Sequence, residues 1–414
     1  MTLGLGGLAA ELVAEARARG HRRLLVLAGE AQWARGAAQS LLADTEIAHE
    51  DVLWAGASSM PDACVACAPG ELVGHIGHEY GSLVLDAHAG LDPDGLGAAM
   101  GTVRGGGLVV LLTPPLAAWP EVPDPQAERL AVDGWGVEAV TGRFLERLAA
   151  KLRGDPCAVV IEQDRPLPQV TPLPAASPTS PPADPDCLTV DQEQAVAAVE
   201  RVITGHRRRP TVLTADRGRG KSAALGIAAA RLMAARGIDV VVTGPHRGAV
   251  AAVLRHAAAR LGVPVHRGRV QTANGATLRF LLPDEVRQAS ESPDLVLVDE
   301  AAALPATVLT ALLERFSRIV FATTVHGYEG TGRGFTLRFR SVLDERTPRW
   351  REVVLREPVR WRSGDPVEAW LFDALLLDAA LPAVPETNSE QLGVEALDRA
   401  RLAGDDALLR DVFG

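Results

Sequence analysis

The stretch PTVLTADRGRGKSAALGIAAARLMAARG, residues 210–237, constrains the fold more than any other part of this chain. An apolar run of strand length leads into a glycine-bearing turn, and a helical pattern begins at Lys221. Strand, phosphate-binding loop and helix follow one another in this order in a parallel α/β sheet, where the loop's N–H groups form a nest at the helix N-terminus. The loop pattern G-x-x-x-x-G-K-[ST] is met except at its first position, which is Ala215. Alanine fits there if its φ stays negative. Composition sharpens the reading. Of 42 Lys and Arg residues only Lys151 and Lys221 are lysine, so the compact ammonium that phosphates require stands where the motif needs it. The competing explanation is a fortuitous Gly-Lys-Ser in a chain rich in Arg and Gly.

Three more runs keep the same rhythm: IDVVVTGP (238–245), PDLVLVDE (293–300) and RIVFATTV (318–325), with helical patterns at 221–236, 247–261 and 305–315. This predicts a RecA-like P-loop NTPase domain, three-layered around a mostly parallel sheet, with its site at the carboxyl ends of the strands. Lys221 would bind the β- and γ-phosphates of ATP and Ser222 would hold Mg2+. Asp299, ending a buried strand, would hold Mg2+ through water, and Glu300 would orient the attacking water. As an alternative, the two acids cap the helix that follows. In LTVDQEQAV (188–196), Gln192 would read an adenine edge, or the run is an ordinary helix capped by Thr189. The glycine-rich loop within TTVHGYEGTGRGF (323–335) offers Arg333 to the γ-phosphate, or is an inert turn.

From Pro166 to Pro185, eight of twenty residues are proline, which predicts a stiff, extended linker. Boundaries follow: an N-terminal domain over 1–163, the linker over 164–186, the P-loop domain over 187–385 and a helical tail over 386–414. Buried-strand runs at 22–29, 81–87 and 106–115, with helical patterns at 7–19 and 136–153, make the N-terminal domain α/β and Rossmann-like, also with a mostly parallel sheet. Cys64 and Cys67 precede His75 and His78 at a spacing loosely like a zinc site, but the histidines also read as the approach to a buried strand. Four cysteines make no disulfide framework, and no apolar run reaches membrane-spanning length, so a cytoplasmic protein without a membrane partner is expected. The net charge of −10 is unevenly spread. Residues 201–280 carry 15 Lys and Arg against Asp216 and Asp239, and 333–362 carry nine Arg against four acids. Such segregation points to a phosphate-rich partner, or to arginines solvated on helix faces.

TADRGRGKSA, LVLVDEAAALPATVL, TTVHGYEGTGRGFTLRF and EPVRWRSGDPVEAWLFDALLLD together resemble the bacterial and archaeal tRNA(Met) cytidine acetyltransferases. VLDAHAGLDPDGLGAAMGTVRGGGLVVLL resembles that family's leading α/β domain. The resemblance implies formation of N4-acetylcytidine at the wobble position of elongator tRNA(Met), from acetyl-CoA, with ATP hydrolysis by a helicase-like module. By position it assigns ATP binding to Gln192, to Gly218, Arg219, Gly220, Lys221, Ser222, Ala223, Ala224, Leu225, Gly226 and Ile227, and to Arg333. Lys221, Ser222, Asp299 and Glu300 match its Walker residues. In the family an acetyltransferase domain follows, whereas after residue 380 no R/Q-x-x-G-x-G/A loop for acetyl-CoA is present. Acetyl transfer is therefore expected to need a domain or separate chain supplied elsewhere. A non-catalytic RNA-binding scaffold and a RecD-like helicase are the alternative functions.

Overall fold

A computed structural model describes residues 4–56, 60–177, 180–290, 292–325, 339–379, 393 and 396–413. The chain divides into two compact units, Met1–Ala176 together with Gly364–Gly414, and Ser177–Ser363.

In the first unit, strands β1 (Arg23–Ala28), β2 (Val52–Ala55), β3 (Val65–Cys67), β4 (Tyr80–Asp86), β5 (Val103–Thr113) and β6 (Ala158–Glu162) form one sheet in the order β3-β2-β4-β5-β1-β6. Every pairing is parallel. Leu25, Leu27, Val84 and Val110 on one face meet Leu12 of α1 (Leu5–Arg19) and Leu41 of α2 (Ala31–Ala43). The central strands are buried along their length, as parallel strands covered on both faces must be. Helix α3 (Pro93–Met100) packs on β4 and β5, and α4 (Arg143–Gly154) on β6. The pattern at 136–153 thus yields a helix only from Arg143. Before it, Val137–Ala139 is a single 3-10 turn, and the poor helix formers Val140, Thr141 and Gly142 separate the two.

The cysteines and histidines near β3 do not converge. Cys67 Sγ donates to Ala68 O at 3.1 Å, and His75 Nδ1 lies 2.7 Å from the Tyr80 hydroxyl. Among the described residues no three His, Cys, Asp or Glu side chains gather as a metal would require. Nor is any described helix long and apolar enough to cross a membrane.

The second unit holds β7 (Thr211–Ala215), β8 (Val240–Thr243), β9 (Arg269–Gln271), β10 (Thr277–Phe280), β11 (Leu295–Val298), β12 (Ile319–Thr324) and β13 (Arg351–Leu355), ordered β13-β7-β12-β11-β8-β10-β9. Only the β9–β10 edge pair is antiparallel. One face packs on α5 (Val190–Thr204), α6 (Lys221–Arg236) and α7 (Ala251–Leu261), through Val199, Leu225 and Leu254 against Leu213, Val242 and Leu297. The other meets α8 (Pro283–Gln288), α9 (Ala306–Arg315) and α10 (Arg340–Arg346) through Val286, Leu312 and Leu343. Both units are α/β with mostly parallel sheets.

The chain then returns to the first unit. Arg22, buried just before β1, donates from its backbone N–H to Asp365 Oδ2 at 2.7 Å and from Nη2 to Oδ1 at 2.8 Å, while its Nη1 donates to Met100 O at 2.6 Å. Asp365 also caps α11 (Pro366–Leu375), accepting from Glu368 N, and α11 packs on α3, α4 and β1. Residues 364–379, expected from the sequence to close the P-loop domain, therefore group with the N-terminal unit. Of the tail, α12 (Arg399–Gly404) and α13 (Asp406–Phe413) belong there too, with Asp406 of α13 bonded to Arg147 and Lys151 and Arg410 to Asp373 and Asp378. The proline-rich stretch is likewise bound rather than free. Leu173 is buried and its N–H donates to Glu15, whereas Asp184 and Asp186 grip Arg231 of α6.

Candidate nucleotide site

The phosphate loop leaves β7 at Ala215 and enters α6 at Lys221. Its left-handed positions are Gly218 (φ 75°) and Gly220 (φ 81°), and Ala215 stays in the strand with no positive φ. The loop therefore turns where glycine is supplied, and the alanine costs nothing. Strand order sets the rest. β12 lies between β7 and β11, so its last residue, Thr324, stands between the loop and the Asp299–Glu300 pair.

Lys221 Nζ donates to Thr324 Oγ1 at 3.0 Å and to the carbonyls of Asp216 at 3.3 Å and Ala215 at 3.4 Å. Thr324 Oγ1 donates in turn to Glu300 Oε2 at 3.2 Å. Glu300 has φ 49°, a left-handed backbone unusual for a residue with a Cβ, and its N–H donates to Asp299 Oδ1 at 3.0 Å. The Ser222 hydroxyl hydrogen-bonds the Asp299 carboxyl. Asp299 is fully buried, and its Oδ2 has no hydrogen-bond partner among the described residues. Burial first, and then the adjacent Glu300 charge, pushes Asp299 up to about 7. Burial also pushes the Lys221 ammonium down, opposed by Glu300 and Asp299. The carboxyl has thus been taken from water without full replacement of its hydration, while the ammonium spends its three donors on neutral oxygens, and a cation at Asp299 and phosphate oxygens at Lys221 would complete both. The oxygen donors of Asp299 and Ser222 are of the kind that suits a hard divalent cation.

Gln192 sits beside the loop, with Thr189 capping α5 at 3.1 Å from its N–H. Its side chain is buried: Oε1 accepts from Leu188 N at 2.7 Å, and Nε2 points at Gly220 O at 3.4 Å. It braces the loop, and reading an adenine edge requires exchanging those bonds. Of the remaining loop and helix positions, Arg219 is buried with Nη1 donating to Arg217 O at 3.1 Å, and Ala223 is half-buried. Ala224, Leu225, Gly226 and Ile227 are packed into the core, Gly226 so tightly that a Cβ would lie 2.5 Å from Val253 O. Arg333 lies outside the described residues. Sequence reasoning missed Thr324, whose one signal was a hydroxyl at the carboxyl end of a buried strand. The basic stretches are partly spent internally. Arg231 pairs with Asp184, Asp186 and Glu200, Arg260 with Asp186, and Arg340 with Glu352.

Two family models match, RNA cytidine acetyltransferase NAT10/TcmA, helicase domain, over residues 212–378, and tRNA(Met) cytidine acetyltransferase TmcA, N-terminal, over residues 5–163. The tRNA(Met) cytidine acetyltransferase TmcA of Nitrosococcus halophilus is 49% identical over 98% of this chain and 55% of its own length. Those of Haloarcula marismortui and Vibrio cholerae are 40% and 37% identical, over 98% and 94% of this chain and 55% and 50% of theirs. The chain spans about half the length of these relatives. Among solved structures, the large terminase of a thermophilic bacteriophage aligns at 16% identity over 44% of this chain and 46% of its own, with a TM-score of 0.30, too low to bear on the fold. With both domain models matched in order and nearly the whole chain aligned, the protein belongs to the tRNA(Met) cytidine acetyltransferase family, of which it carries the N-terminal and helicase domains.

Proposed function

We propose that this chain is the ATP-hydrolysing, RNA-engaging portion of a tRNA(Met) wobble-cytidine N4-acetyltransferase, with acetyl transfer carried out by a domain outside the sequence described. The observation that carries the proposal is the hydrogen-bonded row Lys221–Thr324–Glu300 across neighbouring strand ends, beside a buried Asp299 with an unpartnered oxygen. In this reading Lys221 exchanges its loop carbonyls for phosphate oxygens, and the loop amides offer donors that need no reorganisation. Mg2+, held by Asp299 and Ser222, would neutralise phosphate charge. Glu300 orients the attacking water, and Thr324 keeps its carboxylate aimed towards Lys221. Arg333 is assigned to the γ-phosphate by family position alone. Elongator tRNA(Met), the RNA expected from the family, would be held by its backbone on exposed arginines such as Arg207 and Arg236. The cytoplasm is where such a substrate is met.

Steady-state hydrolysis of Mg-ATP tests the assignment. Lys221→Ala is expected to lower kcat/KM by at least about 100-fold, in the range of lost preorganised donors at charged transition states. Glu300→Gln should lower kcat with nucleotide binding kept. Unchanged hydrolysis in Lys221→Ala would remove the site assignment, and nucleotide or RNA binding without turnover in the unmodified chain would favour the scaffold reading.

A further inference from the structure

Beyond the glycine-rich loop itself, one segment of the second unit is built against it. β13 pairs in parallel with β7, Leu355 opposite Ala215, so the chain leaving β13 runs alongside the loop leaving β7. Val359 N donates to Gly218 O at 2.8 Å. The Trp361 ring covers Gly218, its nearest atom 3.1 Å from where a Cβ would stand, and Trp361 itself is buried. At Gly220 a Cβ would meet Gln192 Nε2 at 2.6 Å and Val359 Cγ1 at 3.1 Å. The strap 356–361 thus closes over both left-handed glycines.

One carboxylate ties the strap down. Asp191, in the first turn of α5, accepts at a single oxygen, Oδ2, from Arg356 N at 2.7 Å and Glu357 N at 3.0 Å. A phosphate nest needs its N–H groups turned inward, which turns its carbonyls outward to find other donors. One of those carbonyls, Gly218 O, is met from this side by Val359 N, while Gly220 O takes the Ala224 N–H of α6 at 2.9 Å and is approached by Gln192 Nε2 at 3.4 Å. Adjacent residues of one helix turn therefore hold the loop, Gln192 directly and Asp191 through the strap.

Resting on the nucleotide-site reading above, we propose that Asp191 is a positioning residue for nucleotide binding. It fixes the strap 356–361, and the strap fixes the orientation of the Gly218 peptide in the phosphate nest. Asp191 touches no reacting atom, so its loss weakens binding rather than chemistry.

The test is the KM and kcat of Mg-ATP hydrolysis for Asp191→Ala, Asp191→Asn and Lys221→Ala in the full chain. Asp191→Ala is expected to raise KM about tenfold, the worth of one charge-assisted hydrogen bond, with kcat within about twofold. Asp191→Asn keeps an acceptor oxygen for both amides and should restore KM to within about threefold. A merely structural role would lower the melting temperature and active fraction with KM unmoved. An unchanged KM in Asp191→Ala, or an Asn variant as impaired as Ala, overturns the proposal. Should Asp191→Ala fail to fold, Trp361→Ala, which removes the cover held by the strap, takes its place: it should raise KM as Asp191→Ala would, and an unchanged KM in it overturns the proposal. Lys221→Ala separates the two layers of inference. Hydrolysis unaffected by it would overturn the nucleotide site, whereas hydrolysis lost in Lys221→Ala with KM unmoved in Asp191→Ala overturns only the strap.

Discussion

At the scale of single residues, the site combines groups that are individually unfavourable in a dry interior. Asp299 has its folded value near 7, above the 3.8 of a free aspartate, so the folded chain holds this proton more tightly than the unfolded one. Its contribution to stability is therefore whole below about pH 4 and is lost as pH rises towards 7. In EDTA the melting temperature is expected to fall between pH 5 and pH 8, and Asp299→Asn to flatten that slope and stabilise the chain at pH 8. Mg-ATP should raise the melting temperature of the unmodified chain and do less for the variant. An unchanged slope in Asp299→Asn would mean that ionising this carboxyl is not what the fold resists. Lys221 was legible in the sequence because lysine is so rare in the chain that its place after Gly220 stands out. Thr324 was not, because one threonine among several at a strand end acquires meaning only when β12 falls between β7 and β11.

Among the elements, the strands that run through the sheet centres were readable as apolar runs, β1, β4 and β5 in one unit and β7, β8, β11 and β12 in the other. The outlying strands β2, β3, β6, β9, β10 and β13 were not. β2 and β3 are four and three residues long, and β13 has the burial of an edge, exposed at Arg351 and Glu352. Missing β13 also hid the strap that follows it, and with it the cover of the phosphate loop. The glycines of that loop carry an element-level consequence. Gly220→Ala would place a Cβ in a left-handed backbone and against Gln192 Nε2 at 2.6 Å. It is expected to cost about 1–2 kcal/mol from the backbone alone and to raise the KM for ATP. Urea unfolding and steady-state kinetics on the same preparation check both, and a variant indistinguishable from the unmodified chain in each would contradict the loop geometry described.

On the scale of the molecule, the N-terminal unit is discontinuous, formed by residues before 177 and after 363. The proline-rich stretch marked where the chain leaves it. The return was illegible, because Arg22 and Asp365 lie 343 residues apart and neither sits in a pattern that announces a partner. Their pair is almost wholly excluded from solvent. Asp365→Ala would strand a buried guanidinium and uncap α11, and is expected to destabilise this unit by roughly 3–5 kcal/mol. Hydrogen exchange resolved along the chain would show the loss confined to residues before 177 and after 363. Equal loss in 177–363 would contradict the division.

Whether the nucleotide site serves an RNA-handling task is tested by the rate of Mg-ATP hydrolysis with and without elongator tRNA(Met), in low and high salt. The expected result is hydrolysis that rises several-fold with tRNA, loses that stimulation as salt screens the phosphate contacts, and vanishes in Lys221→Ala. Hydrolysis that is indifferent to tRNA at every salt concentration, or that survives in Lys221→Ala, would contradict the proposed function.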